Sequence, residues 1–294
     1  MNALLLVNPW ASGVVEEQLQ AVRAVLPGDT ELRMTSAGGE ATEIAREVSG
    51  RVDALYVFGG DGTYNEVLNG IDAATPLGLI PGGGTSVLPR ALGLPNDPVA
   101  AARRLATGST HRIGVGSVNG RRFGFACGIG LDAEVVRAVD ELGRRSDGRR
   151  PSNVRFAWTA IRTLGRHRFQ LEPALEVVGY GRAAFALVSN GPAYSYAGRI
   201  VLRPAPHARF EGGLDLVAPV QLRARGLPRL AWYALGRGKR AMARDLLYEH
   251  DADRIEVICD TPMPLEADGE DLGDVVSARF EAERDALRVV VGDT

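Results

Sequence analysis

The sequence has little cysteine, and its cysteines form no disulfide framework. Its 294 residues include only two, Cys127 and Cys259, which lie far apart in the chain. This usage excludes a disulfide scaffold and a zinc-binding cysteine pattern, and it fits a reducing compartment. We therefore expect both thiols to be small buried apolar groups. The four histidines lie in unrelated contexts, so the sequence predicts no histidine metal site.

Lysine is nearly absent, since Lys239 is the only one and arginine carries almost all of the basic charge. No Gly-Lys-Ser or Gly-Lys-Thr sequence exists, which excludes a Walker A phosphate loop. The formal net charge is −2, and such a weakly charged chain has no global basic field to attract nucleic acid. We expect no nucleic-acid partner.

Long hydrophobic runs are also lacking. The apolar run Ala3–Val7 has five residues and no basic flank, which is too short for a signal peptide. No stretch approaches the roughly 20 apolar residues that a membrane-spanning helix requires. We therefore expect a cytoplasmic protein, with peripheral contact at the inner face of the membrane left open.

Strand-like and helix-like segments alternate through the first hundred residues. Such alternation predicts a parallel sheet that helices cover on both faces. The predicted segments are, in order, strand Ala3–Val7, helix Glu16–Leu26, strand Glu31–Thr35, helix Ala41–Val48, strand Ala54–Phe58, helix Thr63–Leu68, strand Leu77–Ile80 and helix Thr85–Leu92.

A loop of small residues follows each of the four predicted strands. The loops read NPWASG, TSAGG, GGDGT and PGGGTS. Loops after parallel strands leave the sheet at its carboxyl edge, where open α/β sheets bind ligands. A glycine turn between strand and helix directs backbone N–H groups toward one point, which suits phosphate. One glycine turn is weak evidence because turns need glycine anyway, but four predict a nucleotide or polyphosphate site.

The sequence changes character after about residue 110, where β-forming segments alternate with turn residues. This pattern predicts a mainly β second half. Two regions keep a helical pattern: residues 132–142 with 153–164, and Leu230–Tyr248. The basic, glycine-containing composition of residues 143–151 predicts an exposed loop.

The segment GGDGTYNEVLNG strongly resembles the signature of the diacylglycerol kinase catalytic family. This bacterial lipid kinase group is related to sphingosine and ceramide kinases and more distantly to NAD kinase. The resemblance covers nearly the whole chain, through LLLVNPWASG, TSAGGEATEIARE, PGGGTSVLPRALGLP, FACGIGLDAEVV and PLEADGE. NAD kinase shares Gly-Gly-Asp-Gly-Thr, but its Thr-Gly-Ser-Thr-Ala-Tyr stretch is absent here.

The resemblance implies an N-terminal doubly wound parallel α/β domain followed by a C-terminal β-sandwich domain. The nucleotide-binding domain would span residues 1–117, with a strand at about 280–294 returning to it. The lipid-substrate domain would span residues 118–279, and the lipid head group would enter between the two. ATP and Mg²⁺ are the implied cofactors, and a lipid at the membrane surface is the implied partner. The sequence does not fix the oligomeric state, and a homodimer is left open.

The resemblance also implies which residues contact ATP. Three of them also have an alternative interpretation. Thr63 and Asn65 are then polar residues of a first helical turn, and Glu66 is an acid that is favourable near a helix start. The implied ATP-binding residues are Asn8, Pro9, Ser12, Gly13, Thr35, Gly59, Gly60, Gly62, Thr63, Asn65, Glu66, Gly83, Gly84, Thr85 and Ser86.

Two acidic residues are candidates for catalysis, Asp61 and Glu270. From its turn alone, Asp61 either holds Mg²⁺ and orients the acceptor hydroxyl or simply caps its own helix. From sequence alone, Glu270 lies at a solvated hairpin tip. The resemblance instead implies that Glu270 accepts the hydroxyl proton, and that Asp268 supports either the turn or the metal.

Three positions depart from the family pattern. Val87 stands where the family often has the Asp of an Asn-Asp pair, and Gly114 where it often has Asp in a strand. Gly212 stands in an EGGL sequence where some members bind a structural cation with Asp-Asp-Gly-Leu. We therefore expect no second, structural ion and Mg²⁺ that arrives mainly with ATP.

These patterns leave three functions open. The favoured one is an ATP-dependent lipid kinase that transfers the γ-phosphate to a lipid hydroxyl. Diacylglycerol is the default acceptor, with a sphingoid base, ceramide or another lipid alcohol left open. The three departures from the family pattern leave open a non-catalytic nucleotide or lipid sensor, although a protein that only binds its ligand would not need Glu270. The glycine signature keeps open a small-molecule kinase of the NAD kinase type.

Basic segments lie near aromatic residues and suggest contact with an anionic membrane. A solvated charged face is the simpler alternative. The segments are residues 166–168, the arginines at 144–150 and residues 236–244, and the aromatic residues are Trp158, Trp232 and Tyr233.

Overall fold

The computed structural model describes residues 2–141, 153–237 and 245–292. These residues form two compact units. Unit 1 contains residues 2–115 and 284–292, and unit 2 contains residues 116–141, 153–237 and 245–283. The predicted basic loop at 143–151 lies outside the described residues.

Unit 1 is a parallel sheet flanked by helices. Strand order is β2, β1, β3, β4, and every neighbouring pair is parallel. The predicted α/β alternation is confirmed, although the last helix was not predicted. The elements are β1 (Ala3–Val7), α1 (Glu16–Arg23), β2 (Glu31–Met34), α2 (Glu40–Val48), β3 (Ala54–Gly59), α3 (Asp61–Leu68), β4 (Leu77–Pro81), α4 (Val87–Ala91) and α5 (Pro98–Thr107).

The central strands of unit 1 are buried along their whole length. Every residue of β1, β3 and β4 is buried. Strands that are apolar on both faces are typical of parallel sheets that helices cover on both sides. Here α1 packs with α5, and α2 packs with α3. Alternate strand residues join α1 in one core cluster that includes Leu5, Val7, Tyr56, Phe58, Leu19 and Val22.

Unit 2 is rich in strands, which confirms the predicted change of character. Its main series is antiparallel, in the order β16, β14, β11, β7, β17, β18. The boundary between the units falls within β5 and β18. The strands are β5 (Ser109–Val118), β6 (Arg121–Phe123), β7 (Ala126–Ile129), β8 (Gln170–Leu171), β9 (Leu175–Val177), β10 (Gly181–Ala183), β11 (Ala186–Ser189), β12 (Ser195–Ala197), β13 (Ile200–Leu202), β14 (Leu214–Pro219), β15 (Leu222–Arg223), β16 (Leu246–Ala252), β17 (Arg254–Ala267) and β18 (Glu270–Val291).

Among the described residues, three helices complete unit 2. They are α6 (Leu131–Glu141), α7 (Asn153–Arg166) and α8 (Leu227–Ala234), the last preceded by a 3₁₀ turn at Ala224–Gly226. Both cysteines are buried and unbridged, as predicted. No helix in the described ranges has the length and apolar character needed to cross a membrane.

The predicted helix over Leu230–Tyr248 is wrong at its C-terminal end. Helix α8 ends at Ala234, and Leu246 begins strand β16, while residues 238–244 lie outside the described ones. Leu246 pairs with Pro219 of β14, and Tyr248 with Val217. This pairing with a strand distant in sequence outweighs the helical pattern of a short segment, because strand formation depends on cross-strand partners.

Candidate functional site

Backbone hydrogen bonds join the loops that follow β1, β3 and β4 in unit 1. The Gly13 N–H donates to the Gly82 carbonyl at 2.8 Å, and the Gly82 N–H donates to the Gly59 carbonyl at 2.7 Å. We call residues 8–13, 59–62 and 82–86 the glycine loops. These bonds hold three of the four predicted phosphate-binding loops together in unit 1.

The Asn8 side chain ties the first glycine loop to helix α3. Its Nδ2 donates to Thr63 Oγ1 at 2.8 Å. Its Oδ1 accepts the Trp10 N–H at 2.9 Å, and its own backbone N–H donates to the Phe58 carbonyl at 3.0 Å. The structure therefore brings together Asn8 and Thr63, which the sequence predicts as ATP ligands.

Glycine is required where two glycine loops nearly touch. A Cβ on Gly83 would lie 2.9 Å from the Gly60 Cα, and one on Gly59 would lie 2.8 Å from the Thr63 Cβ. Neither distance leaves room for a methyl group. A Cβ on Gly84, in contrast, would meet no atom within 4 Å.

We expect Gly83→Ala to destabilise the protein by about 1–3 kcal/mol and to weaken ATP binding, because the added methyl forces two loop backbones apart. Gly84→Ala is the matched control in the same loop and should leave the free energy of unfolding within about 0.5 kcal/mol of wild type. Denaturant unfolding and ATP titration of both variants check this. Equal stability of the two variants would contradict the close packing of the loops.

Asp61 connects two glycine loops. It is the first residue of α3, whose N-cap position is Gly60 and has no side-chain cap. Its Oδ1 instead accepts the N–H groups of Val87 at 2.8 Å and Leu88 at 3.4 Å. Asp61 therefore caps the neighbouring helix α4 rather than its own helix, and its carboxylate is fixed beside the predicted phosphate site.

Tyr64 is a site residue that the sequence analysis missed. Its hydroxyl lies 2.7 Å from the carbonyl oxygens of both Gly59 and Ile80, and only 1% of the residue is exposed. Burial, followed by the negative charge of Asp61, raises the pKa of Tyr64 well above its ordinary value. The phenol thus stays protonated and contacts both the end of β3 and strand β4. The aromatic residue directly after GGDGT was the available signal.

Three other predicted ligands make hydrogen bonds within unit 1. Thr35 is buried, and its N–H extends the pairing of β1 with β2. The Glu66 carboxylate accepts the Ala41 N–H at 3.3 Å, which places it at the start of α2. Asn65 is fully buried, and its carbonyl accepts the Asn69 side-chain amide at 2.8 Å.

The remaining predicted ATP ligands lie along the glycine loops. Pro9 and Gly84 are exposed, and Ser12, Gly62 and Thr85 are half-buried. Ser86 is buried in a left-handed conformation, with a φ of 48°, and its Oγ accepts an N–H within the same loop at 3.2 Å. Their contacts with a nucleotide stay predictions.

In unit 2, Asp268 and Gly269 form a two-residue turn between β17 and β18. Their φ angles are 52° and 79°, and Ala267 pairs with Glu270 across the turn. Two consecutive positive φ angles are typical of a type I′ hairpin, for which Asp-Gly is a favoured sequence. Glu270 is therefore the first residue of β18, half-buried beside the turn.

The Asp268 carboxylate anchors this turn to the backbone of the β6–β7 connection. Its Oδ2 accepts the Gly124 N–H at 2.6 Å, and its Oδ1 accepts the N–H groups of Phe125 at 2.9 Å and Ala126 at 3.3 Å. Only 2% of Asp268 is exposed. The turn is thus not a solvated hairpin tip, and its geometry fixes the backbone position of Glu270.

The residues present fit Mg²⁺ at Asp61 better than at Asp268. Mg²⁺ is usually held by one or two carboxylates together with substrate phosphates. Asp61 offers a carboxylate beside the glycine loops, whereas both oxygens of Asp268 accept backbone N–H groups. Within the described ranges, no group of three or more His, Cys, Asp or Glu side chains could hold a metal ion.

Protein hydrogen bonds hold the EGGL turn, at which the chain departs from the family's cation site. The Gly213 N–H donates to Asp251 Oδ1 at 2.6 Å. The next acid, Asp215, is fully buried and lies 2.8 Å from His250 Nδ1, and it accepts the Tyr248 hydroxyl at 3.1 Å.

Comparison with known proteins finds a family match for the N-terminal part of the chain. Residues 2–118 match the family described as diacylglycerol kinase catalytic domain. The diacylglycerol kinase of Bacillus subtilis is 40% identical over 116 residues, which cover 38% of either chain. That of Staphylococcus saprophyticus is 42% identical over 90 residues, or 29% of either chain. The chain spans half or less of the length of the curated relatives it matches.

Solved structures resemble the chain over nearly its whole length. A crystal structure of a diacylglycerol kinase from Bacillus anthracis has a TM-score of 0.73 and 22% identity, and covers 99% of this chain and 97% of its own. An NAD kinase from Archaeoglobus fulgidus, solved in complex with ATP, has a TM-score of 0.50 and 14% identity, with 99% and 94% covered. At these identities the likeness concerns the fold. The family match itself covers residues 2–118, less than half of the chain.

Proposed function

We propose that this protein is an ATP-dependent lipid kinase that transfers the γ-phosphate to a lipid hydroxyl, with diacylglycerol as the first acceptor to test. The observation that carries the proposal is the hydrogen-bonded set of glycine loops within the segment that matches the catalytic domain family. The Bacillus subtilis and Staphylococcus relatives named diacylglycerol kinase support the choice of acceptor.

The glycine loops are the proposed site of the nucleotide phosphates. Backbone N–H groups and the N-terminus of α3 favour a polyanion there. Asp61 is the proposed protein ligand of Mg²⁺, which neutralises charge on the transferring phosphoryl group. Tyr64, Asn8 and the Gly13–Gly82 hydrogen bond hold the loops in place before ATP binds, so little ordering is needed on binding.

Glu270 is the proposed proton acceptor. As the lipid hydroxyl oxygen bonds to the γ-phosphorus, its proton passes to the Glu270 carboxylate, and the bond from that phosphorus to the ADP oxygen breaks. Such a general base must be held within hydrogen-bond reach of the hydroxyl. The type I′ turn anchored by Asp268 provides that support, because it fixes the backbone next to Glu270.

An acceptor panel tests the proposed function. Purified protein, γ-labelled ATP and Mg²⁺ are incubated separately with diacylglycerol, ceramide, a sphingoid base, a total lipid extract and NAD. We expect label in diacylglycerol and in one product of the extract. Label in NAD alone would identify a kinase of the NAD kinase type. ATP binding without transfer to any acceptor would identify a sensor.

We further propose that exposed residues of α7 and α8 contact an anionic membrane. Trp158 and Ile161 of α7 are 67% and 52% exposed, and Trp232 of α8 is 48% exposed. The Arg237 guanidinium lies 4.9 Å from the Trp232 ring centroid. Exposed tryptophan beside arginine suits the head-group region of a bilayer. Tyr233, predicted for the same surface, is buried, and residues 144–150 and 238–244 lie outside the described ones.

We expect the double variant Trp158→Ala/Trp232→Ala to bind anionic vesicles at least about tenfold more weakly, because two apolar anchors are lost. Cosedimentation with phosphatidylglycerol vesicles measures this, with phosphatidylcholine vesicles for comparison. Trp10→Ala is the control, since Trp10 is similarly exposed, at 64%, but belongs to unit 1. Unchanged binding of the double variant would rule out this surface.

A further inference from the structure

Two acids, the buried Glu266 and the half-buried Asp132, lie near the turn that carries Glu270, and the sequence analysis assigned neither a role. Glu266 is in β17 opposite Gly128 of β7, and only 2% of it is exposed. Asp132 is in the first turn of α6. A Cβ on Gly128 would lie 2.5 Å from Asp132 Oδ2, so glycine at this position makes room for the Asp132 carboxyl.

Each carboxyl group has one oxygen atom that accepts no hydrogen bond from a donor group among the described residues. Asp132 Oδ2 and Glu266 Oε1 are both buried and without a donor partner. The two carboxyl groups are neighbours across Gly128, since Glu266 pairs with Gly128 and the Cβ position of Gly128 lies 2.5 Å from Asp132 Oδ2. Two ionised carboxylates are unfavourable neighbours in a buried site, and one shared proton would give both oxygens a partner.

Burial and the neighbouring negative charges favour a proton on the Asp132–Glu266 pair. Burial, followed by the charge of Asp132, raises the pKa of Glu266 well above its ordinary value, and burial raises the pKa of Asp132. Asp268 and the buried Cys127 thiol face the same cluster, and burial with the surrounding acids raises the pKa of Cys127.

The second oxygen of each carboxyl group accepts a hydrogen bond from another residue. The Tyr194 hydroxyl donates to Asp132 Oδ1 at 2.5 Å. The Gly269 N–H donates to Glu266 Oε2 at 2.8 Å. Tyr194 therefore binds one acid of the pair, and the residue that directly precedes Glu270 binds the other.

We propose that Asp132 and Glu266 share one proton and act as a positioning pair that fixes the Gly269 peptide and, through it, the orientation of Glu270. This inference rests on the proposed role of Glu270 as proton acceptor. Asp268 anchors the first residue of the Asp-Gly turn, and the pair anchors the second. With both residues held, the Glu270 backbone cannot rotate away from the direction that the turn imposes.

The test compares two replacements of Glu266. In Glu266→Gln the amide can donate to Asp132 Oδ2 in place of the shared proton, and its oxygen can still accept the Gly269 N–H. Glu266→Leu has similar volume but neither group. We expect the leucine variant to lose at least about tenfold in kcat, because small errors in the position of a reacting group are costly. The KM for ATP should stay within about twofold, and the glutamine variant should keep kcat within about threefold of wild type.

Kinase activity of the leucine variant equal to wild type would overturn the proposal, and so would a glutamine variant as impaired as leucine. Amide hydrogen exchange at Gly269 gives a readout that needs no activity. Protection should be kept in Glu266→Gln and lost in Glu266→Leu, with Tyr194→Phe intermediate. If wild type transfers no phosphate, the proposed function fails. Unchanged Gly269 protection in Glu266→Leu refutes the positioning pair on its own.

Discussion

Glu270→Gln is expected to lower kcat for phosphate transfer by about 10²–10⁴-fold, the range typical for removal of a general base. The amide has the shape of the carboxylate but cannot accept the proton of the lipid hydroxyl. The turn should survive, since Asp268 and Gly269 form it through their own backbone conformation and hydrogen bonds. ATP binding should also survive, because the glycine loops belong to unit 1. Steady-state kinetics and ATP titration of the purified variant check these expectations.

Asp271→Asn is the matched control for Glu270→Gln. Asp271 is the next residue of β18 and forms an ion pair with Arg137 at 2.8 Å near the surface. Loss of a surface ion pair costs about 0–1 kcal/mol of stability and should leave kcat close to wild type. If Glu270→Gln retained full kcat, another group would have to accept the proton.

Replacement of Asp61 should have the second large effect, and two variants separate its two roles. Asp61→Asn keeps an oxygen that accepts the Val87 N–H but removes the charge that would hold Mg²⁺. Asp61→Ala removes both. We expect both variants to lose on the order of 100-fold in kcat/KM, a loss typical of groups that support a metal site.

Only the alanine variant should lose much stability. Without Asp61 Oδ1, the buried N–H groups of Val87 and Leu88 have lost their acceptor, which costs about 1–3 kcal/mol. Asp61→Asn should stay within about 1 kcal/mol of wild type. Denaturant unfolding and kinetics at several Mg²⁺ concentrations distinguish the roles. Full activity of Asp61→Asn would mean that Asp61 is only a helix cap.

Local sequence patterns predicted unit 1 because its strands are apolar on both faces and its turns are rich in glycine. Ala3–Val7 has the predicted bounds, and the predicted Ala54–Phe58 differs by one residue at its end. The Leu230–Tyr248 prediction failed where β16 depends on β14, a partner that no local pattern reveals. Strand formation at such a position is set by cross-strand contacts.

The candidate site was predictable in its residues but not in its contacts. The Asp-Gly-Glu sequence predicted a turn between strands, because the turn chemistry is local. That Asp61 caps α4 and Glu66 reaches α2 depends on contacts between different loops and helices. The Asp132–Glu266 pair likewise joins a helix to a distant strand across Gly128, and no spacing rule brings these acids together.

Transfer of label from γ-labelled ATP to lipid tests the central claim most directly. Wild type and Glu270→Gln are incubated in parallel with Mg²⁺ and diacylglycerol in mixed micelles, and the lipids are extracted and separated by chromatography. The account predicts label in phosphorylated diacylglycerol, formed in equal amount to ADP by wild type and nearly absent with Glu270→Gln. Label that never enters any lipid, although wild type binds ATP, would contradict it.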